Sequence, residues 1–281
     1  MNPKVSIVLP VYNGADRIRK SIDSILAQTF KDFELIVVND CSTDNTKVIV
    51  EEYVNKDNRV KLYNNPQNMK LPRSLNNGFR QASGEYWSWT SDDNMYRENA
   101  IETLVSELER DKSVSMVDSD YTCIDENDEV LYVAKKEKGE NIRYNNVCGA
   151  SFLYRADAAK KAGEYDPDLF LAEDYEYWIR LSKYGKLRHI EDDLYMYRLH
   201  SKSLTATRQE AIKLQTYKAM EKHFLYLYSS LNTRKERIHL LDHMYKWVED
   251  TNDSEARSNA MKQICSIMPS YDRNRKISKF N

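Results

Sequence analysis

Short apolar runs that alternate with amphipathic helical segments constrain the fold of this sequence most. The first helical segment carries Ile18, Ile22, Ile25 and Leu26 at a spacing that puts them on one face of a helix. The apolar runs have the length and composition of buried strands, and they cover residues 5–12, 33–38, 60–63 and 87–89. This alternation predicts an α/β fold with a mostly parallel, doubly wound central sheet and helices on both faces.

Two of these predicted strands end in acidic residues. Asn39-Asp40 follows the second strand, and Ser91-Asp92-Asp93-Asn94 follows the fourth. Open α/β sheets bind ligands outside the carboxyl ends of their strands, so the acids flank one crevice if the two strands are neighbours. Paired carboxylates hold a hard divalent cation, which in turn holds phosphate oxygens. The same residues also suit an ordinary turn, and the motif alone leaves both interpretations open.

The usual phosphate-binding loops are absent from the sequence. No Gly-x-Gly-x-x-Gly follows the first strand and no Walker lysine loop occurs, which argues against dinucleotide-binding and ATP-hydrolysing proteins. A nucleotide diphosphate bound by such a fold needs a cation to neutralise much of its phosphate charge. The acidic pair Asp92-Asp93 fits that requirement.

Composition and charge exclude several other classes of protein. The 281 residues suffice for one large α/β domain with an appendage, and 41% hydrophobic with 31% charged residues suits a globular chain. A net charge of -2 gives no indication of a nucleic-acid partner. No run approaches the roughly 20 apolar residues of a membrane helix, and no leader pattern opens the sequence, so we expect a cytoplasmic protein. The four cysteines lack a Cys-x-x-Cys spacing, which argues against structural zinc.

The second half of the sequence predicts fewer strands and a helical end. Residues 114–117 predict a strand, and residues 187–190 and 194–198 predict the two final strands of the sheet. From Thr205 onward apolar residues recur at helical intervals, which predicts two or three amphipathic helices packed on the preceding domain.

Five stretches, in this order, resemble the inverting GT-A glycosyltransferases of family 2. They are VSIVLPVYNG (5–14), VNDCSTDNT (38–46), LPRSLNNG (71–78), ASGEY (82–86) and SDD (91–93). The similarity extends from residue 3 to about residue 200. It implies a GT-A (Rossmann-like), nucleotide-sugar-dependent domain over residues 1–204, followed by a C-terminal helical extension over residues 205–281.

The resemblance also implies which residues bind the donor and its cation. The first acidic turn contacts the base and ribose, and the backbone around Pro10 and Tyr12 forms the base pocket. The residues implied to bind the donor are Pro10, Tyr12, Asp40, Asn76, Ser91 and Asp92, and those implied to hold manganese or magnesium are Asp92, Asp93 and His200. A lone histidine is more often structural, and the resemblance favours a ligand, so both interpretations of His200 remain open.

The metal-binding motif departs from the family pattern at one position. The slots of the Asp-x-Asp motif are Thr90, Ser91 and Asp92, so a threonine replaces the first acid. Asp92 is left as the predicted direct ligand, and the loss of one negative charge predicts weaker metal binding.

A helical segment beginning at Glu173-Asp174 carries the predicted catalytic base. An acid in the first turn of a helix is often only a cap, stabilised by the helix dipole. Family members carry a Glu-Asp pair followed by an aromatic residue and an arginine here, and the resemblance assigns the Asp as base. We therefore predict Asp174 as the base, with Glu173 as the alternative. Trp178 either stacks on a sugar or packs in the core, and core packing is the more frequent of the two.

The implied activity is transfer of a sugar, such as a hexosyl group, from a nucleotide diphosphate donor, commonly UDP, to an acceptor hydroxyl with inversion. The implied acceptor is a saccharide or lipid-linked saccharide in cell-surface polysaccharide or glycoconjugate synthesis. The basic end over residues 273–280 either contacts anionic lipid at the inner face of the membrane or is solvated.

Two rival functions are compatible with parts of the sequence. A sugar-phosphate nucleotidylyltransferase needs a loop rich in glycine and arginine, whereas Asn13-Gly14-Ala15-Asp16 follows the first strand. A sugar-nucleotide-binding or scaffolding module that has lost catalysis is suggested by Thr90.

Overall fold

A computed structural model describes residues 2–201, 203–249 and 253–267. The strands of its one sheet are β1 (Val5–Val11), β2 (Phe33–Asn39), β3 (Val60–Asn64), β4 (Tyr86–Trp89), β5 (Met95–Tyr96), β6 (Val114–Ile124), β7 (Val130–Ala134), β8 (Ser151–Arg155) and β9 (Lys186–Arg198). The α-helices are α1 (Ile18–Leu26), α2 (Thr46–Lys56), α3 (Lys70–Phe79), α4 (Ala100–Arg110), α5 (Ala156–Ala162), α6 (Glu173–Leu181), α7 (Leu204–Thr207), α8 (Gln209–Lys222), α9 (Phe224–Ser229), α10 (Arg234–Glu249) and α11 (Ser254–Ile267). Short 3₁₀ turns occur at Gly139–Arg143 and Pro167–Leu169.

The strands follow the order β3-β2-β1-β4-β8-β6-β9-β5, and β7 pairs with β6. The predicted α/β class is confirmed, but the sheet is parallel throughout only in its first half, where β1 pairs with β2 and β4, and β2 pairs with β3. β8 lies antiparallel between β4 and β6, so the sheet as a whole is mixed. The sequence analysis did not predict β8, whose place in the sheet depends on antiparallel pairing with β4 and β6.

The two predicted final strands are one strand, β9. It pairs in parallel with β6, and the register shifts between Ser119 and Asp120, where Ile190 and then Asp193 are the partners. Glu191 and Asp192 therefore have no partner on β6 and are exposed. This bulge carries the polar interruption that made the run look like two strands in the sequence.

Helices cover both faces of the sheet, as predicted. Side chains of β1 alternate between the faces, since Ile7 and Leu9 belong to one buried cluster and Val8 to another. Residues of α1, α2 and α4 belong to the first cluster, and residues of α3, α5 and α6 to the second. The acidic loops at the carboxyl ends of the strands are thereby fixed between two packed layers.

After residue 203, the regular elements in the described ranges are the helices α7 to α11, joined by short turns. Tyr217, Met220 and Leu227 are almost fully buried, in the same cluster as Trp178 of α6. The helices therefore share a core with the sheet domain, and the domain boundary at residues 204/205 stays a prediction. The basic residues 273–280 lie outside the described ranges.

None of the helices described is both long enough and apolar enough to cross a bilayer. This finding agrees with the absence of a long apolar run in the sequence.

Candidate active site

A cleft of about 1110 Å³ opens at the carboxyl ends of the first strands. Its volume is slightly above the range of roughly 300–1,000 Å³ that is typical of pockets for small molecules. Nine of the ten residues predicted to act in the site line it: Pro10, Tyr12, Asp40, Ser91, Asp92, Asp93, Glu173, Asp174 and His200. Acids from three distant parts of the chain therefore border one cavity.

The two acidic loops flank β1 rather than adjoining each other. β2 and β4 are separated by β1, so Asp40 and Asp92 lie on either side of the end of β1. The expectation of a shared crevice is met even though the strands are not neighbours, because all three strands run parallel and end at the same edge.

Asp40 organises a loop that borders the cleft. Its Oδ1 accepts hydrogen bonds from Asn65 Nδ2 at 2.8 Å and from the backbone N–H of Met69 at 2.7 Å, and Oδ2 accepts one from Lys70 N at 3.0 Å. These contacts fix the entry into α3, where Lys70 has a positive φ of 68°. Each oxygen of an ionised carboxylate accepts more than one hydrogen bond, so Asp40 retains acceptor capacity for a ligand.

Asn76 is not among the residues that line the cleft, so the structure does not support its predicted contact with the donor. Its Nδ2 donates to Tyr165 O at 2.9 Å, and its Oδ1 accepts from Tyr165 N at 2.8 Å. Both ends of the amide are therefore used to join α3 to the chain before α6. Ser74, on the same helix, lines the cleft instead.

Asp92 lies in a partly enclosed acidic position. Its carboxylate accepts no hydrogen bond from another residue in the ranges described. Burial first, and then the negative charge of Asp93, raise the pKa of Asp92 to about 7. A carboxylate in this environment gains from a cation beside it.

Asp93 and His200 meet across the cleft. His200 Nε2 lies 2.9 Å from Asp93 Oδ2, and Ser91 Oγ donates to Asp93 Oδ1 at 2.8 Å. The other ring nitrogen of His200, Nδ1, is buried and has no hydrogen-bond partner among the described residues. Arg198 Nε donates to Asp93 O at 3.0 Å, so the last strand of the sheet holds the acidic turn in place.

Thr90 does not take the place of the missing acid. It is 1% exposed, and its hydroxyl is hydrogen-bonded to the hydroxyl of Tyr195 on β9. Thr90 borders the cleft, but its hydroxyl is already engaged by Tyr195.

The acidic side chains of the cleft supply only some of the ligands that a divalent cation needs. Asp92 presents carboxylate oxygens of the kind that Mn²⁺ and Mg²⁺ prefer. Over residues 2–201, 203–249 and 253–267, however, no three His, Cys, Asp or Glu side chains lie close enough together to hold a metal ion. The predicted set of Asp92, Asp93 and His200 is thus not a preformed three-ligand centre. A cation here would take one or two protein oxygens and complete its coordination with donor phosphate oxygens and water.

Glu173 and Asp174 are the first two residues of α6, and both line the cleft. Glu173 Oε2 accepts from Leu171 N at 2.6 Å, and Asp174 Oδ1 accepts from Tyr175 N at 2.7 Å. Burial and then the charge of Asp174 raise the pKa of Glu173 to about 8. Burial also raises the pKa of Asp174, so that the pair takes up protons more readily than ordinary carboxyls.

Trp178 packs in the core. It is 1% exposed, and its ring lies 4.7 Å from that of Phe152, centroid to centroid. Trp178 also borders the cleft, but its burial agrees with core packing, the more frequent of the two interpretations.

Several residues that line the cleft carry no sequence motif that could have identified them. They include Arg17, Trp89, Lys136, Asn146, Arg208 and Trp247. Asn146 joins the site through Asp174, and Trp247 reaches it from α10.

The chain is similar to known glycosyltransferases in sequence. A model of glycosyl transferase family 2 matches residues 6–162. An uncharacterized glycosyltransferase of Rickettsia typhi is 34% identical over 235 residues, which cover 80% of this chain and 72% of the relative. One of Methanocaldococcus jannaschii is 28% identical over 256 residues, which cover 87% and 84%.

Solved structures confirm the predicted GT-A fold. The crystal structure of S. aureus TarS 1-349 in complex with UDP has a TM-score of 0.62 at 18% identity, and the match covers 96% of this chain and 92% of that one. The mannosyltransferase PcManGT from Pyrobaculum calidifontis, in complex with GDP-Man and Mn²⁺, has a TM-score of 0.64 at 15% identity and coverages of 100% and 81%. Since the family model spans more than half of the sequence, the chain belongs to glycosyltransferase family 2.

Proposed function

We propose that this protein transfers a hexosyl or related sugar from a UDP-sugar to an acceptor hydroxyl, with inversion at the anomeric carbon and with a divalent cation. The strongest support is one observation: Asp174 borders the same cleft as Asp40 and Asp92. A potential base thus faces a potential diphosphate site across a cavity large enough for a nucleotide sugar.

The nucleotide lies at the end of the cleft bordered by Pro10, Tyr12 and Asp40. Tyr12 is 50% exposed, so its ring is free to contact a base. Four basic side chains of the cleft form no ion pair with any other described residue, namely Arg17, Lys70, Lys136 and Arg208. Unpaired cations beside a diphosphate attract its negative charge.

The acceptor lies against the start of α6. Asp174 removes the proton of the acceptor hydroxyl as that oxygen attacks the anomeric carbon from the side opposite the diphosphate. The new glycosidic bond forms while the bond to the diphosphate breaks, and the configuration inverts. A raised pKa suits this role, because a stronger base takes the proton more readily.

Departure of the diphosphate requires stabilisation of its negative charge. Asp92, with Asp93 nearby, would hold a Mn²⁺ or Mg²⁺ ion, which when bound acts as a Lewis acid on the phosphate oxygens. Arg17, whose charge acts on Asp92, and Lys70 add positive charge to the cleft. His200 holds Asp93 in position through its Nε2 contact.

A donor panel tests this function. UDP-glucose, UDP-N-acetylglucosamine and GDP-mannose are incubated with a mixture of saccharide acceptors and with Mn²⁺ or Mg²⁺, and nucleotide release is measured. We expect release from a UDP-sugar, and a fall of about 10²- to 10⁴-fold for Asp174→Asn. Asp192→Asn is the matched control, because Asp192 is exposed on the bulge of β9, away from the cleft.

Two results would contradict the assignment. Equal release by wild type and Asp174→Asn would remove Asp174 from the role of base. An α-linked product from an α-linked donor, read from the anomeric coupling constant, would exclude inversion.

A binding module without catalysis is the second candidate, favoured by the use of Thr90 in the core and by the absence of a preformed metal centre in the described ranges. Calorimetry distinguishes the two. Tight UDP binding that is indifferent to Mn²⁺, together with no turnover of any donor, would support the module.

The acceptor class and cellular context extend the same proposal. A saccharide or lipid-linked saccharide acceptor, used in polysaccharide or glycoconjugate synthesis at the cytoplasmic side of the membrane, is consistent with a cleft that has polar and aromatic side chains near Asp174. Binding of the purified chain to vesicles with and without anionic lipid tests the membrane contact.

A further inference from the structure

Asn146 touches the proposed base directly. Its Nδ2 donates to Asp174 Oδ2 at 2.9 Å, while Asp174 Oδ1 accepts from Tyr175 N at 2.7 Å. Each oxygen of the carboxylate therefore has one donor, and the plane of the group is held from two sides. The orientation of the amide follows from charge, because an ionised carboxylate accepts hydrogen bonds and would repel the amide oxygen.

The segment that carries Asn146 is anchored to the sheet on both sides. Lys136 N donates to Asp120 Oδ1 and Gly149 N donates to Asp118 Oδ2, each at 2.8 Å. The imidazole of His189 lies between these buried carboxylates, with Nδ1 3.1 Å from Asp118 and Nε2 3.2 Å from Asp120. Buried, paired contacts of this kind hold a connecting segment in one conformation over the cleft.

The other end of the Asn146 amide is not used within the described chain. Asn146 Oδ1 is buried and has no hydrogen-bond partner there, although Asn146 lines the cleft. Leaving a buried acceptor without a donor is unfavourable. A hydroxyl of an acceptor molecule bound at Asp174 would supply that donor.

We infer that Asn146 is a positioning residue of this enzyme: its Nδ2 orients the carboxylate of Asp174 and its Oδ1 receives a hydroxyl of the acceptor. This inference deepens the proposed function, since it assumes that Asp174 is the base. It adds a residue that no sequence motif identified. Asn146 contributes no proton to the reaction, and it acts by keeping one oxygen of Asp174 directed into the cleft.

The effect of Asn146 on Asp174 is measurable without turnover. A hydrogen bond to the ionised form favours that form, so Asn146→Ala raises the pKa of Asp174, by about one unit. Asn146→Asp raises it further, because a second carboxylate adds repulsion. Other titratable groups that act on Asp174 or feel its charge are Glu173, Lys136, Cys148 and Tyr197, and none is changed by these substitutions.

The experiment is a pH titration of the protein labelled with ¹³C at aspartate carboxyls, with Asp174→Asn to assign the signal. We expect the midpoint of Asp174 to rise in the order wild type, Asn146→Ala, Asn146→Asp. Asn68→Ala is the matched control, since Asn68 Oδ1 is also buried without a partner in the described chain but lies at the donor end. It should change UDP affinity and leave the midpoint of Asp174 in place.

An unchanged midpoint in Asn146→Ala, in protein that still binds UDP with wild-type affinity, would overturn the inference. Should no donor be turned over, the proposed function fails while the titration still decides the role of Asn146. If a donor is turned over, the acid limb of kcat against pH must move upward in Asn146→Ala together with the midpoint. A lowered kcat without such a shift would indicate a merely structural role.

Discussion

Gly14 and Asp92 lie so close together that the carboxylate occupies the space of a side chain at residue 14. A Cβ built on Gly14 would lie 2.0 Å from Asp92 Oδ2 and 2.6 Å from Val11 Cγ2. Gly14 N also donates to Thr46 Oγ1 at 2.9 Å, which fixes the loop after β1. The glycine therefore permits the position of the acid that is proposed to bind the cation.

We predict that Gly14→Ala displaces Asp92 and weakens Mn²⁺-dependent UDP binding by at least about tenfold, with a smaller effect on stability, because the displaced atoms are side-chain ends. Calorimetric titration with UDP and Mn²⁺ measures the affinity. Gly163→Ala is the control: Gly163 has a φ of 86° but no neighbour nearer than 3.8 Å, so it should lose about 1 kcal/mol of stability and keep UDP binding. Wild-type affinity in Gly14→Ala would contradict the prediction.

Removal of the metal tests whether the reaction needs a cation, and substitutions of Asp92 and Asp93 test which of the two acids binds it. Chelation with EDTA should abolish nucleotide release, and added Mn²⁺ should restore it. Asp92→Asn should weaken Mn²⁺ binding more than Asp93→Asn, because Asp93 is engaged by His200 and Ser91 whereas Asp92 is not. Titration of the Mn²⁺ requirement in each variant measures this order, and the reverse order would make Asp93 the principal ligand.

The pH profile distinguishes the two candidate bases. Burial raises the pKa of Asp174, so kcat should rise with pH at values above those of an ordinary aspartate. Burial, and then the charge of Asp174, raise the pKa of Glu173 to about 8, and Asp174 is the carboxylate proposed as the base. Glu173→Gln should therefore keep this rise of kcat with pH and most of the activity, whereas Asp174→Asn should lose both. The opposite pattern would assign the base to Glu173.

Glu176 joins α6 to the C-terminal helices through a buried ionic cluster. Its carboxylate, 0% exposed, lies 2.7 Å from Arg180, 2.9 Å from Lys222 and 2.7 Å from His223. Burial raises the pKa of Glu176, but the hydrogen bonds from His223 and Arg180 outweigh it and bring it to about 2. A pKa that is lower in the folded than in the unfolded state stabilises the protein above about pH 4.5, and this stabilisation is lost as the pH falls towards 2.

We expect Glu176→Gln to lower the free energy of unfolding by about 3 kcal/mol at neutral pH, since the three basic partners lose their buried counter-charge. Its loss of stability between pH 5 and 2 should also be smaller than in wild type. Denaturant unfolding at several pH values measures both. Glu164→Gln is the control, because the Glu164–Arg80 pair is more than half exposed and contributes less than about 1 kcal/mol. Equal destabilisation by the two substitutions would contradict this account.

Local sequence patterns were sufficient to predict the strands and helices whose apolar side chains form the two cores, one on each face of the sheet. Ile7, Val8 and Leu9 alternate between two cores, and Ile18, Ile22 and Ile25 repeat at the helical period. Such periodicity depends only on backbone geometry, so it can be read from neighbouring residues. The acids after β2 and β4 were predicted in the same way, because parallel strands end at a common edge.

Contacts between distant residues could not be predicted in this way. β8 depends on a position between β4 and β6, and Asn76 forms hydrogen bonds with Tyr165, which is 89 residues further along the chain. The hydrogen bond of Thr90 to Tyr195 and that of Asn146 to Asp174 likewise join residues far apart in the chain.

The sequence by itself determined the α/β class, the acidic loops and the family, because these depend on local periodicity and on short motifs. Only the tertiary structure decided which polar side chains face the cleft and which are used up inside the protein. Hydrogen-bonding capacity is short-ranged, and whether an amide or hydroxyl is free for a ligand depends on the atoms within about 3 Å of it.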